Sequence, residues 1–157
     1  MNTIQRAFRI LAVVFCGIIV SLPAVQAQEE EVRAAMLATL AAWNAGDVAE
    51  FGALFGSETR GFNLDGGLLI RGFNAPALEA AISAGFGINV EPRDIDVKMY
   101  GDAAVGVAYL DGSITLPGGM VREGTWRYSE TRVKEGGTWK VVQYHISAMM
   151  MGMPGNR

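Results

Sequence analysis

The sequence predicts an α+β domain with its helices packed on one side of a curved antiparallel sheet. Three observations carry that prediction. Apolar residues recur at helical spacing between Val32 and Trp43, then alternate with a period of two beyond residue 87, and glycine-rich turns separate four consecutive strand-like runs. The expected order is α-α-β-β-α-β-β-β-β.

Residues 1–27, "MNTIQRAFRILAVVFCGIIVSLPAVQA", come before that domain. Arg6 and Arg9 form a basic start, Ile10 to Val20 an apolar run, and Pro23 with Val25-Gln26-Ala27 a small-residue cleavage pattern. This is the layout of a secretory signal peptide cut after Ala27, which predicts a periplasmic or secreted protein. The alternative is a retained anchor, but the run falls short of the ~20 apolar residues a span needs. Cys16 follows the bulky Phe15, so lipidation is not expected. After cleavage no membrane association is expected.

The expected domain spans residues 28–148, with a flexible Met-rich tail at 149–157. Taking Arg6 and Arg9 from the 13 basic residues leaves 11 against 16 acidic ones, a formal charge of −5. No basic cluster follows a phosphate backbone, so nucleic acid is not an expected partner. With Cys16 removed the chain has no cysteine, which excludes disulfides and thiolate chemistry.

The first helix is expected from Glu29, with Val32, Met36, Leu40 and Trp43 on one face. Glu29, Glu30 and Glu31 suit the positive end of its dipole, and Gly46 is placed to end it. Asp47 with Glu50 resembles a capping box for a second helix, "VAEFGALF", striped by Phe51, Leu54 and Phe55. A hairpin with its turn at Asp65-Gly66-Gly67 follows. Gly-Phe-Asn occurs at 61–63 and 72–74, two copies that make no repeat architecture. Asn74 or Ala75 caps a third helix, with Pro76 in its first turn and Leu78, Ala81 and Ile82 as its buried side.

Four strands then form a meander, turning at Gly101-Asp102, Pro117-Gly118-Gly119 and Glu135-Gly136-Gly137. The strand at 103–110 is apolar on both faces, with Val105, Val107 and Tyr109 on one and Ala104, Ala108 and Leu110 on the other. Helices cover only one face of a sheet, so a homodimer is expected to cover the second.

"AWNAGDVAEFGALF", a hairpin, a third helix and the closing "ETRVKEGGTWKVVQYHIS" resemble the nuclear transport factor 2-like superfamily. The likeness is nearest to SnoaL-like domains and the association (hub) domain of calcium/calmodulin-dependent kinases, and it spans nearly all of the mature chain. It implies a cone-shaped fold, the cystatin-like α+β barrel, with the sheet curling around a pocket closed by helices. Members include isomerases, cyclases, dehydratases, binding proteins and oligomerisation modules, so the fold leaves the function open.

By that resemblance the ketosteroid isomerase base falls near Asn63, whose amide cannot abstract a proton, and the pocket tyrosine near Thr39. Asp65 reads as a turn residue. A three-residue turn at Glu135-Gly136-Gly137 would set Arg132 opposite Lys140 and Trp126 opposite Ile146. Trp126, Tyr128, Glu130 and Arg132 then share a face with Val142, Tyr144 and Ile146, while Arg127 and His145, the single histidine, lie on the reverse. The hub domains carry arginines matching Arg132 and Ile146, so this chain keeps one.

Two readings of Arg132 stand open. Beside Glu130, Tyr128 and Tyr144 it binds a ligand carboxylate in an apolar cavity, or it pairs structurally with Glu130 or Asp111. The facing of Asp111 also stays open, because a one-residue bulge would switch it. The pocket candidates are thus Arg132, Tyr128, Glu130, Trp126, Tyr144, Asp111 and Asn63. Methionines at 149–151 and 153 are soft ligands for Cu(I), but the tail reads better as a loose end. No metal and no cofactor is expected. The leading functional expectation is an exported dimer holding a small apolar or carboxylate-bearing ligand. The alternatives are an enzyme of the isomerase, cyclase or dehydratase type using Asp111, Glu130 or Tyr128, and an oligomerisation module.

Overall fold

In a computed structural model the chain runs α1 (Thr3–Ala45), α2 (Val48–Ala53), β1 (Phe55–Phe62), β2 (Ile70–Arg71), α3 (Ala75–Ser83), β3 (Gly87–Tyr100), β4 (Ala103–Thr115), β5 (Val121–Glu135) and β6 (Thr138–Ala148). The structure describes the backbone of residues 3–64 and 66–149 and the side chains of residues 24–64 and 66–149. Residues 1–23, which hold most of the expected signal peptide, Asp65 and residues 150–157 lie outside the described side chains. Among the described residues no helix is long and apolar enough to cross a membrane.

The element order is the expected one. Val32, Met36 and Leu40 are buried under the sheet, so the helical stripe is the core face of α1. Helix α1 extends well before Glu29, because Ala24, Gln26, Ala27, Gln28 and the three glutamates are all compatible with continued helix. The glutamates therefore sit mid-helix rather than at a positive terminus. Glu31 instead accepts from Lys134 Nζ at 3.0 Å and Trp139 Nε1 at 3.2 Å on the facing strands. These bonds, that to Lys134 foremost, hold its carboxyl below the usual range.

Gly46 ends α1 at φ +66°, with Asp47 N–H donating to Ala42 O and Gly46 N–H to Trp43 O. That is the Schellman pattern, and the left-handed step it needs favours glycine. Asp47 then caps α2 by accepting from Glu50 N–H at 2.9 Å, and Asn74 caps α3 through Ala77 N–H. Helix α2 stops at Ala53, so Phe55, expected in the helix, starts β1.

The six strands form one curved, unclosed sheet in the order β2-β1-β6-β5-β4-β3. Strands β3 to β6 are the predicted meander, and β1 joins it parallel to β6, a pairing no local pattern announces. The expected hairpin is β1 with a two-residue β2, Arg60 opposite Arg71, and the connection spans 63–69 rather than a tight turn.

The last hairpin corrects the expected register. Its turn holds only Gly136 and Gly137, both at positive φ, so Glu135 faces Thr138 and Arg132 faces Val141 rather than Lys140. Beyond them Thr131 faces Gln143, which leaves Val142 as an extra residue on β6. Trp126 consequently faces Ala148, and His145 faces Ser129 rather than Arg127. The bulge also splits the strand's faces. Trp139 and Val141 point inward before it, Tyr144 and Ile146 after it, and His145 stays exposed.

Candidate functional site

A cavity of about 470 Å³ opens between the sheet and the three helices. Strands β5 and β6 supply Tyr128, Tyr144 and Ile146, helix α1 supplies Thr39, Leu40 and Trp43, and Leu116 and Pro117 close the end of β4. One wall is a chain of aromatic rings. Trp43 stacks on Phe51 at 5.9 Å between centroids, Phe51 meets Phe55 at 4.8 Å and Phe73 at 5.7 Å, and Phe55 meets Tyr144 at 5.7 Å. Edge and offset contacts of this kind fix ring orientation beyond simple area burial. Room for the last ring comes from Gly61, where a Cβ would stand 2.3 Å from the Tyr144 ring. A smaller space of about 200 Å³ adjoins the cavity and shares Trp43, Phe51, Leu78 and Phe86 with it.

Beneath the floor lies a buried polar network. Arg132 and Glu130, 0 % and 1 % exposed, pair through Arg132 Nε and Glu130 Oε1 and through Nη2 and Oε2 at 3.1 Å. Arg132 Nη2 also donates to Thr39 Oγ1 at 2.7 Å and Nη1 to Trp139 O at 3.2 Å. Tyr128 donates its hydroxyl proton to Glu130 Oε2 at 2.6 Å. Burial, and after it the Glu130 charge, pushes the Tyr128 phenol well above its usual range, so it stays protonated.

The structure thus distributes the candidates from the sequence unevenly. Tyr128, Tyr144 and Asn63 line the cavity, and Tyr144 donates to Asn63 Oδ1 at 3.1 Å. Arg132 and Glu130 stand behind the wall, and Arg132 takes the pairing with Glu130 that the sequence had left as one of two readings. Trp126 is core, packed with Leu110 and Ile114. Asp111 lies on the outer face, because β4 keeps unbroken register with β5 past Thr125 and no bulge turns it inward. There it binds Thr125 Oγ1 and Arg93 Nε, each at 2.5 Å, and these bonds hold its carboxyl below the usual range. His145 is also outside, 5.9 Å from the Phe62 ring.

The aromatic wall as a unit is not legible in the sequence. Phe51 and Phe55 fall in the expected stripe of the second helix and Phe73 and Phe86 in no periodic pattern, although the phenylalanines cluster between 51 and 86. Asn44, within the stretch AWNAGDVAEFGALF that carries the family resemblance, has a structural role that local pattern does not announce. Its amide accepts from Val90 N–H at 3.0 Å and donates to Val90 O at 2.8 Å, which fastens the end of α1 to β3. Among the described residues no three His, Cys, Asp or Glu side chains gather where a metal ion could sit.

Comparison with solved structures returns the same architecture. A ketosteroid isomerase-like protein from Erwinia carotovora atroseptica superposes with a TM-score of 0.67 at 19% identity, covering 78% of this chain and 97% of its own. An NTF2-like protein from Cytophaga hutchinsonii gives 0.65 at 20% identity, with 78% and 98% covered. The association domain of C. elegans CaMKII gives 0.64 at 19% identity, with 80% and 98% covered. At these identities the likeness is one of fold. No curated protein matches the chain. The model of the SnoaL-like domain matches residues 32–151, and the chain belongs to that family.

Proposed function

We propose that this chain is an exported binding protein whose cavity holds a small, largely apolar molecule. The observation that carries the reading is the wall itself. Among the described residues it offers aromatic and aliphatic side chains with a few neutral polar groups, and no carboxylate, imidazole, amine or guanidinium. Such a wall rewards burial of hydrocarbon, at about 25 cal/mol per Å² of apolar surface, and supplies little for proton transfer beyond two phenols, of which that of Tyr128 is held protonated. A ligand carboxylate finds no charge there, because the Arg132 charge is met by Glu130. Native mass spectrometry of the protein purified from its own host, with thermal shifts across a panel of small aromatic compounds, tests the reading. An empty protein with no shift for any of them speaks against it.

Export rests on the leader pattern of residues 1–27. An N-terminus at Gln28 on the secreted or periplasmic protein is the expected result, and a mature chain that retains Met1 opposes it.

One observation favours a second element, a homodimer. Val105, Val107 and Tyr109 stay 37–41% exposed on the outer face among the described residues, with Arg93 over the Tyr109 ring. The similarity in fold to an association domain is consistent with self-assembly. Light scattering at micromolar concentration tests it, with a monomer as the contrary result.

A further inference from the structure

The cavity's buried polar groups, Thr39 and Tyr128, have their protons committed elsewhere, and this deepens the binding reading on which it rests. Glu130, ionised against Arg132, offers only lone pairs, so the proton between Tyr128 and Glu130 comes from the phenol. Thr39 gives its own proton to Ala35 O at 2.9 Å and accepts from Arg132. Whatever part of either oxygen a ligand reaches therefore presents lone pairs and no hydrogen. Both residues are buried, at 1 % and 7 % exposure. The other polar groups of the wall are Asn63 and Asn74, exposed at the mouth, the Tyr144 hydroxyl, which donates to Asn63 Oδ1, and the Trp43 indole N–H.

We propose that the cavity selects an apolar molecule carrying a neutral hydrogen-bond donor, a hydroxyl or an N–H, inserted donor-first against Tyr128. A carbonyl or carboxylate oxygen in that place would meet oxygen lone pairs, and a buried acceptor without a donor forfeits its hydration. An ammonium group is disfavoured as well, since the single negative charge beneath the floor is already paired with Arg132. The arrangement is the reverse of an oxyanion hole, where donors point at the bound oxygen.

The test uses probes sharing one hydrocarbon body: 2-naphthol, 2-naphthaldehyde and 2-naphthoate, titrated into the full mature protein by calorimetry. Naphthol is expected to bind about tenfold more tightly than the aldehyde, and the naphthoate most weakly. In Tyr128→Phe the naphthol advantage is expected to vanish while aldehyde binding persists. Aldehyde or naphthoate binding as tightly as naphthol to the wild-type protein would overturn the donor preference and leave the apolar cavity reading intact. An undiminished naphthol advantage in Tyr128→Phe would overturn the assignment to Tyr128. Failure of all three probes to bind would remove both readings together. The wild-type ranking decides the matter even where the variant does not fold.

Discussion

Arg132 and Glu130 stand two residues apart on β5, point to the same face of the sheet, and close a forked pair with no solvent access. Two charges taken out of water are costly, and attraction plus the remaining hydrogen bonds must offset that cost. Thr39, Tyr128 and the Trp139 carbonyl complete the offset. Arg132→Met leaves the Glu130 charge buried and unopposed, so a loss of about 3–5 kcal/mol is expected in urea unfolding. The double variant Glu130→Leu/Arg132→Met is expected to recover most of it. A double variant as unstable as the single would mean that packing, not charge, sets the cost.

Asn44 satisfies both backbone groups of Val90 through one amide. Asn44→Ala strands a buried N–H and C=O together, with an expected loss of about 2 kcal/mol or more. Asn44→Asp keeps the acceptor but places a carboxylate against Val90 O, and should fall at least as far. Thermal unfolding of the two variants checks the order.

The close approach of β1 to the Tyr144 ring requires the missing Cβ of Gly61. Gly61→Ala is expected to cost about 1–3 kcal/mol, as overpacking does. The penalty should shrink in a Tyr144→Ala background, so a double-mutant cycle reads the coupling directly. An unchanged penalty there would place the strain elsewhere.

Acid weakens the fold through two surface carboxyls. Asp111, bonded by Thr125 and Arg93, and Glu31, bonded by Lys134 and Trp139, both titrate below their ordinary values in the folded state. A depressed folded pKa contributes stability above the unfolded value, near pH 4, and loses it as pH falls through the folded one. Stability should therefore decline from about pH 4 downward, and Asp111→Asn should flatten part of that decline while leaving neutral pH little changed.

Alkali acts on Tyr128. Its phenol is raised in the fold, so the folded state keeps a proton that the unfolded chain gives up near pH 10. Stability is whole below that value and is lost as pH climbs toward the folded pKa. Spectroscopic titration should show one tyrosine ionising only with unfolding, and Tyr128→Phe should remove that step. Ionisation of all the tyrosines in the folded protein would contradict the buried hydrogen bond.

The element order, the core face of α1 and the caps at Gly46, Asp47 and Asn74 were all legible in the residues, because each depends on neighbours three or four positions away. Alternation likewise placed Tyr128, Glu130 and Arg132 on the inner face and His145 on the outer. The same period-two rule failed at Val142, where an added residue changes which side chains of β6 face inward. It also left Asp111 undecided until the register of β4 against β5 was known.

What the sequence determined by itself was therefore the α+β succession and the inward set of β5, since local periodicity suffices for both. Only the tertiary structure decided that Arg132 spends its charge on Glu130 and that rings from α1, α2, β1 and β6 and the residues before α3 form one wall. It also decided that Tyr128 turns its proton away from the cavity. Each of these depends on the groups that stand opposite across strands or helices, and a one-residue change in register is enough to replace them.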